Sequence, residues 1–69
     1  MFDLEKALAG LSGRSLSFDQ LRIEVTKIRR EHIADLPPEI GVGELILLGR
    51  RHALIQEDAQ GTMHIRSNH

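Results

Sequence analysis

The stretch "PEIGVGELILLGRR", residues 38–51, can be read as a helix or as a loop followed by a strand, and the choice decides the fold. As a helix it starts on Pro-Glu, which suits a first turn because proline lacks the amide that goes unpaired there and a carboxylate faces the positive end of the dipole. It would then bury Val42, Leu45, Ile46 and Leu48 or Gly49. As a strand, "ELILLG" would open a three-stranded meander. Gly41, Gly43 and Gly49 favour the strand, since each costs about 0.5–1 kcal/mol against alanine inside a helix. The leucine-rich composition favours the helix, and we read 38–51 as helical, with a start as late as Val42 allowed.

Downstream, "HALIQEDAQGTMHIR" (52–66) has two short apolar runs around a polar, Gly-bearing turn, the pattern of a β-hairpin. A three-residue loop, Ala59-Gln60-Gly61, places Gly61 at the left-handed position of a bulged turn. Ile55 then faces Ile65, Glu57 faces Met63, and Ala53 lies on the same side. A loop one residue longer would pair Leu54 with Ile65 instead. Residues 66–69 read as a frayed tail.

Upstream, Leu36-Pro37-Pro38 stops a helix, because a residue before proline is pushed out of helical geometry. That helix begins at a capping box, Ser17-Phe18-Asp19-Gln20. Phe18, Leu21, Val25, Ile28 and His32 recur at spacings of three and four, one continuous seam, with Ile33 broadening it. The spacing predicts a helix over 18–33. The first helix runs from Asp3, as N-cap, to Leu11, with Leu4, Ala7, Leu8 and Leu11 at helical spacing and Phe2 as a staple residue. Residues 12–15 read as a loop.

At 69 residues the chain is a single domain, 1–69, burying only about 60% of its unfolded surface. Two Phe and no Trp or Tyr mean an aliphatic core. With no cysteine, disulfides and thiolate metal sites are excluded. No apolar run approaches the roughly 20 residues of a membrane span, and the acidic N-terminus differs from a secretion signal. The expectation is a soluble, cytoplasmic protein with no membrane partner. A net charge of −1 excludes the strongly basic class of nucleic-acid binders. Thin burial raises the expectation of a homodimer.

The order of elements, with a third Pro-initiated helix ending in Arg-Arg and then a hairpin, resembles the winged-helix superfamily of helix-turn-helix domains. The resemblance lies in "LPPEIGVGELILLGRRHALIQEDAQGTMHI", which is similar to the third helix and the two wing strands of bacterial winged-helix regulators. It implies an α+β fold: three helices followed by a C-terminal antiparallel hairpin. The alternative is two helices and a three-stranded antiparallel meander. It also implies a DNA-binding transcriptional regulator.

The basic residues form clusters: Lys27, Arg29 and Arg30 at the end of the second helix, Arg50, Arg51 and His52 before the hairpin, and Arg66 on its return strand. These are the candidate DNA-backbone contacts, where cations displace counterions. The competing reading is that cations sit at helix C-termini because they offset the dipole there. No histidine pair has helical zinc spacing, and no metal or small-molecule cofactor is expected. Ser12, Ser15 and Ser17 have no identifiable base, and the chain is not expected to be an enzyme. Two function classes remain. DNA binding leads on element order. The alternative is a protein-docking module using the apolar third segment or the hairpin edge.

Overall fold

A computed structural model describes residues 2–66. Residues Val42–Arg51 form helix α3, with Leu45, Ile46 and Gly49 buried, so the meander built on "ELILLG" is set aside. The helix starts at Val42 rather than Pro38. Residues 37–40 form a turn instead, with the Ile40 N–H donating to the Pro37 carbonyl at 3.0 Å, and Gly41 serves as N-cap. Gly49 is tolerated because it is the point of closest approach to the sheet. A Cβ there would lie 2.5 Å from Cδ1 of Ile55.

The end of α3 is a Schellman motif, in which the amides of a left-handed residue and of the residue after it satisfy two of the last carbonyls. The Leu54 N–H donates to the Gly49 carbonyl at 2.8 Å and the Ala53 N–H to that of Arg50 at 3.1 Å. The left-handed residue, usually glycine, is here Ala53 at φ +60°. This corrects the expectation that Ala53 lies alongside Ile55 in the strand: Ala53 is exposed, and the chain enters the core at Leu54.

Strands β2 (Ile55–Glu57) and β3 (Met63–Ile65) form the hairpin, with Ile55 opposite Ile65 and Glu57 opposite Met63. This is the register of the three-residue loop. The Gly61 N–H donates to the Asp58 carbonyl at 3.1 Å and the Asp58 N–H to that of Thr62 at 3.0 Å, with Gly61 at φ +83°. The Arg66 N–H donates to the Leu54 carbonyl at 2.7 Å, so Arg66 extends the ladder and does not belong to a frayed tail. Residues 67–69 lie outside the described residues.

The sheet has a third strand that the sequence reading missed. Residues Ser15–Leu16 form β1, antiparallel to β3, giving the strand order β1–β3–β2. Gly13 at φ +80° and Arg14 both pair with Ile65, at 2.9 and 3.1 Å, a bulge that turns the chain into this short strand.

Helix α1 covers only Leu4–Ala7, capped by Asp3, whose carboxylate accepts from the Lys6 N–H at 3.2 Å. The expected continuation to Leu11 tightens into a 3₁₀ turn, Ala9–Leu11. Residues three apart stack in such a turn, which brings both Leu8 and Leu11 into the core. Helix α2 spans Phe18–Glu31 behind the expected capping box. The Ser17 hydroxyl accepts from the Gln20 N–H at 3.1 Å, and the Gln20 side chain accepts from the Ser17 N–H at 3.0 Å. It ends two residues early, followed by a 3₁₀ turn at Ile33–Asp35.

The middle of the α2 seam packs as expected: Leu21 and Val25 are fully buried. Its ends do not. Phe18 is 46% exposed and Ile33 49%. His32 is half-buried, edge-on to the Phe2 ring with centroids 5.2 Å apart. The core joins Leu8, Leu11, Leu16, Leu21, Val25, Leu45, Ile46, Leu54, Ile55, Met63 and Ile65, with α2 and α3 packed together and α3 against β2.

Candidate interaction surfaces

The seven candidate cations do not form one face. Arg29 turns inward: its Nε donates to the Ile40 carbonyl at 2.7 Å and its Nη2 to that of Pro38 at 3.4 Å. It holds the turn before α3, with its Nε–Nη2 edge taken up by backbone carbonyls. Arg50 lies 3.3 Å from the carboxylate of Glu57 on β2, tying the end of α3 to the hairpin. Lys27 lies 3.5 Å from Glu24. His52 is the C-cap of α3 and lines an apolar cleft of about 390 Å³ with Phe2, Leu4, Leu36 and Leu48. Among the described residues Arg30, Arg51 and Arg66 are exposed and form no ion pair.

The outer face of α3 carries Gly43, Glu44, Leu47, Arg50 and Arg51. Leu47, at 62%, is the most exposed large hydrophobic residue described. With Glu44 beside it and Arg50 committed to Glu57, this surface is apolar and of mixed charge rather than basic. At the hairpin tip, Glu57 and Asp58 are both exposed acids.

A second surface runs along α2. Asp19, Arg22, Ile23, Thr26, Lys27 and Arg30 line a shallow cleft of about 470 Å³. Their spacing, i, i+3, i+4, i+7, i+8 and i+11, makes a single stripe opposite Leu21 and Val25. Arg22 and Ile23 were not among the sequence candidates. The signal was available: once Leu21 and Val25 are assigned to the core, periodicity sends Ile23 to solvent.

The solvent face of the sheet carries a hydrogen-bonded chain. Nδ1 of His64 lies 2.9 Å from the Ser15 hydroxyl, and its Nε2 lies 2.8 Å from Oδ2 of Asp58. A carboxylate can only accept, so Nε2 carries the proton, and in the neutral ring Nδ1 accepts from the hydroxyl. Ser15 and His64 therefore do have polar partners, which the sequence did not reveal. Oδ1 of Asp58 accepts from the N–H groups of Gln60 and Thr62 at 2.9 and 3.0 Å. The hydrogen bond from His64, then those from Thr62 and Gln60, hold the Asp58 carboxyl below its ordinary value. Serine, histidine and aspartate here stitch two strands, β1 and β3, to the hairpin turn. Ser15 and Asp58 are exposed, and Ser15 sits on a strand surface rather than at a cavity floor.

Among the described residues no group of three or more metal-ligating side chains converges, and no helix is long and apolar enough to cross a membrane. No family model matches the chain, and neither does a curated protein or a solved structure.

Proposed function

We propose that the chain is a non-catalytic interaction domain of winged-helix type that docks a protein rather than reading DNA. The winged-helix part of this reading rests on element order: α1, β1, α2 and α3 precede a C-terminal hairpin. Fold alone does not assign function, so the surface has to decide. The observation that carries the docking reading is Leu47, 62% exposed at the centre of the α3 face that would be offered to a DNA groove. A leucine there can touch a thymine methyl, but Glu44 beside it repels phosphate and Arg50 is paired with Glu57 at 3.3 Å, which leaves Arg51 as the one unpaired cation described on this face. Protein interfaces combine such an apolar centre with a rim of mixed charge.

Fluorescence anisotropy with a labelled random-sequence duplex at low salt tests this. The expected result is no saturable binding. Saturable binding that falls steeply with salt and is lost in the Arg50→Ala, Arg51→Ala double variant would restore DNA as the partner.

A further inference from the structure

We propose that the outer face of α2 binds an acidic, amphipathic helical segment of a partner protein, with Ile23 as the apolar anchor and Arg22 and Arg30 as the charged clamps. This rests on the docking reading and assigns it a second surface with a defined partner chemistry. Ile23 is 57% exposed in mid-helix, outside the hydrophobic core, and presents more than half of an apolar side chain to solvent. Arg22 and Arg30 flank it and form no ion pair among the described residues. Lys27 adds a third cation, shared with Glu24 at 3.5 Å. The Thr26 hydroxyl donates back to the Arg22 carbonyl at 2.6 Å, so its polar group is already satisfied and its methyl adds to the apolar floor. Against these three cations stand two carboxylates, Asp19 at the N-terminal end of the cleft and Glu24 beside Lys27, which leaves Arg22 and Arg30 as the unpaired charges. The face is therefore locally positive on a chain whose net charge is −1.

Arg22 and Arg30 are eight residues apart, about 12 Å along the helix axis at 1.5 Å per residue. A partner helix that places carboxylates two turns apart on either side of a leucine or isoleucine matches that spacing and covers Ile23. Nucleic acid fits less well. The cleft has no aromatic ring on which a base could stack, an aliphatic side chain occupies its centre, and Asp19 repels phosphate.

The test is NMR titration of the ¹⁵N-labelled protein with a synthetic acidic helical peptide carrying a leucine between glutamates seven residues apart. A scrambled peptide of the same composition and a random 16-base-pair duplex serve as controls. Saturable shifts confined to the amides of residues 19–30, and a loss of at least tenfold in affinity for Ile23→Asp and for Arg22→Glu with Arg30→Glu, are expected. Leu47→Asp, on the α3 face, should leave this binding unchanged. Circular dichroism of each variant shows that α2 is intact; if Ile23→Asp unfolds, Ile23→Ser replaces it. Equal binding of the scrambled peptide, shifts centred on α3, or tighter binding of the duplex at α2 would each overturn the proposal. If neither peptide nor duplex binds anywhere, this inference fails while the docking reading stands. If the duplex binds at α3 and the hairpin, the docking reading fails.

Discussion

Asp58 accepts hydrogen bonds from His64, Thr62 and Gln60, and its charge is what lets one short side chain hold both the hairpin turn and the β3 histidine. Its pKa is depressed in the folded state, so its contribution to stability is present above the unfolded value of 3.8 and is lost as the pH falls through the folded value. Chemical denaturation of the wild type should therefore show a midpoint that falls in the acid range below about pH 4. In Asp58→Asn the amide oxygen can still accept from the two turn amides, so the hairpin should form, but the carboxylate titration is gone. The variant should be less stable at neutral pH and show a flatter acid limb. An acid limb of unchanged steepness would mean that another carboxylate controls it. The residue scale also explains why the candidate cations were only partly legible. Clustering of Arg29, Arg30, Arg50 and Arg51 was visible in the sequence, but the groups that engage Arg29 and Arg50 were not. The Ile40 carbonyl and Glu57 become their neighbours only when the chain folds back.

At the scale of the elements, legibility followed locality. The capping box of α2 and the hairpin itself were readable because the residues that fix them lie within a few positions of one another, whereas the register, open between a three-residue loop and one a residue longer, is decided by Ile55 lying opposite Ile65. The two-residue β1 was not readable: Leu16 pairs with Met63, and two residues carry no periodic signal. The start of α3 was ambiguous because Pro38-Glu39 is as good in a turn as in a first helical turn. Its end holds a local conflict that gives a prediction. Ala53 adopts a left-handed conformation, which costs an L-residue about 1–2 kcal/mol. Glycine removes that cost but adds about 0.5–1 kcal/mol of backbone entropy to the unfolded chain. Ala53 is exposed, so no packing is lost. Ala53→Gly should therefore stabilise the domain by about 0.5–1 kcal/mol, read as a midpoint a few degrees higher by calorimetry. A lower midpoint would show that the Schellman turn is not the ending that α3 uses.

For the molecule as a whole, stability depends on how closely α3 lies on the sheet, and that distance is set at one crossing. Gly49 faces Ile55, one of the most buried side chains, and an added Cβ would lie 2.5 Å from its Cδ1 and 3.0 Å from its Cγ1. Two effects oppose each other in Gly49→Ala. Helix propensity favours alanine by about 1 kcal/mol. Overpacking a filled core costs about 1–3 kcal/mol, and Ile55 has little room to give, since its strand is fixed by β3 and its side chain by α3. A 69-residue domain has no second core to absorb the shift. The overpacking term should win, and Gly49→Ala should destabilise by up to about 2 kcal/mol in urea denaturation. A double-mutant cycle separates this cause from a general intolerance of α3 to substitution. Ile55→Val removes Cδ1 and should alone cost about 0.5–1.5 kcal/mol. Combined with Gly49→Ala, it removes the atom in closest conflict and leaves the propensity gain in place. The double variant should therefore be more stable than the sum of the two single changes by about 1 kcal/mol or more, as expected of residues in direct contact. Strict additivity would place the strain elsewhere and would mean that α3 does not approach the sheet through its glycine.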